Sequence, residues 1–385
     1  MNIALLTTTL SGGAGIAAER SGEALAKSSA EVTVIGPRVT KNRYISKALT
    51  LVQSQIVQNS GELITTFSLN KIDGEDLERF DLIHLHAFYN LISTSSISDL
   101  AREKPVFITM HDQRISTGGC HYSGNCLGFK SSCSRCPKVN PIFRTFVEKE
   151  KSKVNYLLSN RNVYLVSPSK WLANQVQKSS PLKLGNPILV VPNPVPKQIE
   201  FDKTKIRNEM NILGKTVIGF ISMIPENPNK GLSQLLTSLN HLDANIRQKV
   251  VLLIVGGRNT PEIPSNIEYR HVTQDEFSSV SNIYSAIDIL AVPSLQDNSP
   301  NVIAEALCNN VKIIGSSFGG IPELLQQFNQ SIVDVNDHQS LKEEIKRLVE
   351  NPFEPINVST EAKNFFSYEN HATTLLKAYE NAINK

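Results

Sequence analysis

Asp297 and Glu305 stand eight positions apart around the expected start of a helix, Pro300 followed by NVIAEALC. Proline suits a first helical turn because its missing N–H would have no intrahelical partner there. One acid then lies in the loop and the other two turns into the helix, so both can face one crevice. The unsatisfied N–H groups of the helix start attract anions. Lys230, just ahead of Gly231 and the helical pattern GLSQLLTSLN, adds a cation beside a second helix start. Carboxylates suit sugar hydroxyls and a ribose diol, while N–H groups and a lysine suit a diphosphate, so together they suit a nucleoside-diphosphate sugar. Each feature alone would be at home in a surface βα loop.

Other residues carry separate chemistry. Val106 to Met110 reads as a strand that presents His111-Asp112 at its C-terminal end, where open α/β sheets hold ligands. A structural His–Asp hydrogen bond is the competing reading. DLIHLH alternates like a strand and sends His84 and His86 to the same side. No acid or cysteine completes a local metal set there, so a cleft-lining or hydrogen-bonded core role leads. Four of the five cysteines fall in TGGCHYSGNCLGFKSSCSRCP, at Cys120, Cys126, Cys133 and Cys136. Cys133-x-x-Cys136 is half of a usual tetrahedral zinc set and the first pair supplies the rest, with a wider spacing. His121 is a substitute ligand and two disulfides are the rival. Such a closed site orders a loop and performs no catalysis.

The elements that must position these residues follow a strand-then-helix repeat. Ile3 to Thr7 is an apolar strand, and a glycine loop, a helix and the strand EVTVIG follow it, a βαβ opening. Gly12-Gly13-x-Gly15 lacks the spacing of a dinucleotide fingerprint, and the second strand closes on Gly36-Pro37-Arg38 without an acid. Nicotinamide chemistry is therefore disfavoured. Further buried strands are expected at Val163–Ser167, Ile188–Val191, Val217–Ile221, Val250–Val255, Ile289–Val292 and Val311–Ile314. A length of 385 residues implies two domains, with a boundary near 196. The net charge of +3 is too mild to indicate nucleic acid. It suits a surface beside anionic lipid, although an ordinary near-neutral surface is the better explanation. No run reaches the roughly 18 apolar residues of a membrane span. The N-terminus has no basic region of a leader, so a cytoplasmic location with reduced cysteines is expected.

The stretch from Asp297 to Glu323 resembles the retaining glycosyltransferases of family four, whose C-terminal domain carries Glu-x7-Glu and then a Gly-Gly loop. Asp297 stands at the first Glu, Glu305 at the second, and Gly319-Gly320-x-x-Glu323 matches the loop. The cysteine insertion after a His-Asp strand end is similar to the colanic-acid type of bacterial exopolysaccharide glycosyltransferase, and the resemblance spans nearly the whole chain. It implies a GT-B architecture, α/β with two Rossmann-like domains facing a central cleft. Residues 1–195 would bind acceptor and carry the cysteine-rich insertion 117–137. Residues 196–366 would bind the nucleotide sugar, and 367–385 would be a helix crossing back to the first domain. Acceptor-side helices are expected within 39–75.

By the same resemblance, donor contacts fall to Gly13, Gly15, Lys230, Gly231, Val272, Asp297, Asn298, Ser299, Asn301 and Glu305. The chemical step falls to His111, Asp112, Asp297 and Lys230, with Val272 lying along the base. The chain departs from its relatives in Asp297 for Glu, in Ser222 and Met223 where an arginine is common, and in Pro194 where Pro-Asn-Gly is usual. It also lacks an Asp-x-Asp motif near a strand end, so no catalytic metal is expected. The implied function is retaining, hexosyl-type transfer to a saccharide or polyprenyl-linked acceptor in surface polysaccharide synthesis, with peripheral contact at the inner membrane. A sugar-nucleotide-binding scaffold and a nucleotide-sugar epimerase are the alternatives.

Overall fold

The apolar runs become two parallel sheets in a computed structural model that describes residues 1–28, 30–36, 77–89, 91–179, 183–198, 201–273, 280–351 and 358–385. The segment 39–75, with its expected helices, and the first part of the helical pattern before Ile289, 274–279, lie outside the described residues. The chain divides into two units, Met1–Pro194 with Tyr368–Lys385, and Val195–Ser367.

In the first unit the strands are β1 (Asn2–Thr7), β2 (Glu31–Ile35), β3 (Leu82–His86), β4 (Val106–Thr109), β5 (Val163–Ser167) and β6 (Leu189–Val190). Their order across the sheet is β2-β1-β3-β4-β5-β6. Register pairs Leu5 with His84 and Thr7 with His86, then His84 with Phe107 and His86 with Thr109. Both faces are covered, which is why these strands read as unbroken apolar runs and not as alternations. Ala4, Ile83 and Ile108 pack into one layer with Leu157 and Leu172. Ile3, Leu82 and Phe107 face the opposite layer with Leu25, Leu375 and Tyr379. The last two side chains belong to the terminal helix Tyr368–Ile383, whose apolar stripe is therefore core of this unit.

The second unit holds β7 (Thr216–Ile221), β8 (Val250–Val255), β9 (Tyr269–Val272), β10 (Ile289–Val292), β11 (Lys312–Ser316) and β12 (Ser331–Val333). The order is β12-β11-β10-β7-β8-β9. Leu253 and Leu290 face Ile303 and Leu307 on one side, while Leu252 and Ile289 face Leu235 and Ile345 on the other. The strand expected from Val311 starts one residue later. Asn310 turns with φ 57°, and the Val311 N–H closes the preceding helix on Ala306 O at 2.9 Å. Pro300 likewise stands just before the helix Asn301–Cys308, as its cap with ψ 122° and not within its first turn.

Candidate functional site

The connections after β7 and β10 leave the second sheet in opposite directions, and these two strands are neighbours. Doubly wound sheets open a crevice at such a reversal, beyond the C-terminal strand ends. The loops that follow the two strands carry Lys230 and Asp297. They are knit together by backbone: Leu295 N–H donates to Asn229 O at 2.8 Å, and Asn229 Nδ2 donates to Gln296 O at 2.6 Å. Gly231 has φ 79°, and a Cβ there would lie 2.0 Å from Pro293 O, so only glycine lets the lysine loop approach this closely.

Lys230 Nζ lies 2.7 Å from Asp297 Oδ2. The other carboxylate oxygen accepts the Asn298 N–H at 2.8 Å. A third loop closes on the same residue: the Gly320 N–H donates to Asp297 O at 2.8 Å. Gly319 has φ 71°, and a Cβ on it would stand 2.0 Å from that carbonyl oxygen. Asp297 and Asn298 are buried while Ser299 and Asn301 are half-exposed, so the segment from 297 to 301 runs from the interior to the helix start. Glu305 is buried inside the helix Asn301–Cys308. Tyr284 Oη donates to Glu305 Oε2 at 2.6 Å, which fixes the carboxylate. The sequence reading missed Tyr284, because within IYSAID it looks like one more apolar residue of a core helix face. Only the fold shows where its hydroxyl ends.

One expected donor contact, and one position where relatives commonly carry arginine, are engaged elsewhere. Val272 is core, and its carbonyl accepts the Gly256 N–H at 3.0 Å. Ser222, standing where an arginine was expected, turns its hydroxyl onto Ile224 O at 3.0 Å, and Met223 is exposed. No guanidinium is supplied from those two positions.

In the first unit the expected glycines open the helix Gly12–Ala26. A Cβ on Gly15 would meet Thr9 O at 2.7 Å, whereas one on Gly13 would meet nothing within 4 Å. Packing thus accounts for glycine at 15 and not at 13. At the strand ends, His86 Nδ1 and His111 Nε2 share a hydrogen bond of 3.1 Å. His84 lies between Thr109 Oγ1, 2.7 Å from its Nε2, and Tyr379 Oη, 2.5 Å from its Nδ1. A shared His–His bond requires one ring nitrogen to donate and the other to accept, which suits two neutral imidazoles. Burial pushes His111 down to about 4 and His84 down to about 3, and it holds His86 well below the ordinary histidine value. His86 Nε2 is buried with no hydrogen-bond partner among the described residues.

Asp112 gives its carboxylate to Arg114, which reaches it through Nε at 2.9 Å and through Nη2 at 2.7 Å. His121 Nδ1 stands 3.5 Å from the same carboxylate. Burial opposes the charge, but Arg114 and then His121 hold this carboxyl below its usual range. Arg114 also lies over the Tyr89 ring, 4.3 Å from its centroid. The sequence reading did not single out Arg114, although its spacing two residues after Asp112 in HDQRIS was a usable signal.

The cysteine segment folds against this cluster. None of Cys120, Cys126, Cys133 and Cys136 is in a disulfide, and all four line one cavity of about 260 Å³. Cys120 and Cys136 share a thiol hydrogen bond, which together with backbone N–H groups draws Cys136 down to about 6 while Cys120 is driven up. Among the described residues no three His, Cys, Asp or Glu side chains are gathered closely enough to hold a metal ion as they stand. No described helix is long and apolar enough to cross a membrane.

Two parallel-sheet α/β units of Rossmann type, the second with its charged residues at the reversal point, define the GT-B class of fold. Residues 215–351, which include Lys230, Asp297 and Glu305, match the family model for Glycosyl transferases group 1. Over 327 residues the chain is 22% identical to WcaC of Escherichia coli (strain K12), which carries the name of a colanic acid biosynthesis glycosyl transferase; the match covers 82% of this chain and 75% of that protein. The solved structure of HepE from Anabaena in complex with UDP has a TM-score of 0.66 at 14% identity, covering 99% of this chain and 100% of that one. Sucrose-phosphate synthase from Thermosynechococcus elongatus gives a TM-score of 0.67 at 16% identity, over 100% of this chain and 99% of that one. At these identities the structural likeness is one of fold.

Proposed function

We propose that the protein transfers a sugar from a nucleoside-diphosphate sugar to a saccharide or lipid-linked saccharide acceptor in surface polysaccharide assembly, with retention at the anomeric carbon. The observation that carries this reading is the convergence of three loops on Asp297, with Lys230 ion-paired to it at 2.7 Å. Support comes from the family match over 215–351 and from the naming of WcaC for colanic acid biosynthesis. HepE, of the same fold, was solved with UDP and with UDP-glucose.

The second unit is assigned the donor. Lys230 has three N–H donors, and its bond to Asp297 leaves others for diphosphate oxygens. The N–H groups at the start of the helix Asn301–Cys308 add fixed positive potential for the same anion. Glu305, oriented by Tyr284, takes the ribose diol, and the carboxylate of Asp297 takes donor-sugar hydroxyls. In the step itself the bond between the anomeric carbon and the diphosphate oxygen breaks, and a bond to the acceptor oxygen forms on the same face. The acceptor proton passes to the leaving phosphate, whose charge Lys230 stabilises as it develops. This route needs no separate general base. The first unit is assigned the acceptor, with His111 and Asp112 the residues to test there.

The test is to incubate the chain with a panel of nucleoside-diphosphate sugars, with and without saccharide and polyprenyl-linked acceptors. Acceptor-dependent release of nucleoside diphosphate and a glycosylated product with retained configuration are expected. Donor binding without release would overturn the enzymatic reading in favour of a scaffold, and an inverted product would overturn the stereochemistry alone.

A further inference from the structure

We propose that the four cysteines of the first unit bind one structural zinc ion, and that this ion holds the loop that sets His121 against Asp112. The donor set is right for zinc: four sulfurs outside any disulfide border a single cavity, with Gly118, Val139 and Val147 among the other residues of its wall. Three of the sulfurs already accept backbone N–H groups. Gly128 donates to Cys126 Sγ at 3.4 Å, Gly118 donates to Cys133, and Lys138 and Val139 both donate to Cys136. Cys133 has φ 58°, a left-handed turn that lets the chain double back between the two cysteines of the C-x-x-C pair.

Charge gives an independent argument. Four thiolates around a divalent ion carry a net charge of about −2, which has to be offset where burial is extensive. Four cations surround the pocket, Arg135 among those that line it. Lys138 lines it, Arg144 donates through Nε to Cys136 O at 3.0 Å, and the buried Lys151 donates to Phe129 O at 2.5 Å and Ser131 O at 2.6 Å. A buried lysine resting on two carbonyls of a cysteine loop has no evident purpose in an all-neutral pocket. The sulfurs are not at ligating spacing as they stand, so binding has to draw them inward across the cavity by side-chain rotation.

The loop reaches the Asp112 cluster through short bonds. The Gln113 N–H donates to His121 O at 2.8 Å, the Ser123 N–H to Gln113 Oε1 at 2.8 Å, and Thr117 Oγ1 to Cys120 O at 2.9 Å. The ion would anchor the cysteine end of this network, where the helix Arg144–Leu158 also holds the loop through Arg144 and Lys151.

The experiment uses the full chain, purified under reducing conditions without chelator. Elemental analysis should find about one zinc per chain, held by thiolates that resist a thiol reagent until the metal is stripped. Cys308→Ser should leave the zinc content unchanged, and Cys133→Ser should lower it. Stripping should also increase hydrogen exchange across 113–139. Folded wild-type protein without zinc after zinc supply, or a mass showing disulfides in reducing buffer, would overturn the site. Zinc bound with unchanged exchange at 113–139 would overturn its role in holding His121.

Discussion

The two sets of strand ends handle polar groups in opposite ways. In the first unit His84 and His86 are buried and His111 is half-buried, and all three are held neutral, each against another ring or a hydroxyl. In the second unit Lys230 and Asp297 form an ion pair at 2.7 Å, set in backbone that only glycine at 231 and 319 allows. The first arrangement stabilises uncharged donors and acceptors suited to hydroxyl groups. The second offers fixed charge suited to an anion. The sugar transfer proposed above would use one surface of each kind.

The comparison breaks most sharply if the charged end can be removed without effect. Lys230→Ala should lower nucleoside diphosphate release by about 100-fold or more, the scale of one preorganised electrostatic contact, and Glu305→Gln should lower release at low donor concentration by weakening the hold on the ribose. The glutamine retains an acceptor for Tyr284, so folding should survive, which circular dichroism checks. Rates within a few-fold of wild type would refute the donor-site assignment.

The neutral end makes a prediction about pH. Unfolded histidines titrate near 6.5, whereas burial holds His111 at about 4 and His84 at about 3 in the folded chain. Between those values the unfolded state binds more protons, so stability is complete above about pH 6.5 and falls as pH drops toward the folded values. Each such histidine contributes a slope of about 1.4 kcal/mol per pH unit. Chemical denaturation at pH 7, 6 and 5 should show this loss, and His84→Gln should flatten it. A pH-independent midpoint would mean that these rings are hydrated.

Smaller effects sharpen the picture. Tyr284→Phe removes one hydrogen bond to a buried carboxylate and should raise the donor KM about 5- to 30-fold, about 1–2 kcal/mol, with little change in kcat. A fall in kcat at unchanged KM would place Glu305 in the chemical step and not at the ribose. The smallest effect expected is none: chelator present only during the assay should leave turnover unchanged, and a prompt loss would call for a catalytic metal.

Much of the fold was legible because parallel strands buried on both faces leave unbroken apolar runs, as in VIGFI and VLLIV. Asp297 and Lys230 were legible because a loop acid and a lysine ahead of helix starts mark strand ends locally, and Glu305 because it falls within the helix that follows the first of these loops. Residues acting over long separations were not. Tyr284 meets Glu305 across 21 positions, and Tyr379 meets His84 across 295. Local patterns record only whether such a side chain is apolar enough to be buried, and a tyrosine's hydroxyl is invisible to that count.

The sequence by itself determined the two α/β units and the residue types at their strand ends. It did so because the hydrophobic period and the helix-start chemistry are local properties. Tertiary structure alone decided the partners. It gave Asp112 to Arg114 and His121, joined His111 to His86, paired Lys230 with Asp297, and brought four cysteines around one cavity. Those choices depend on strand order and loop approach, which fix distances between positions that the chain keeps far apart.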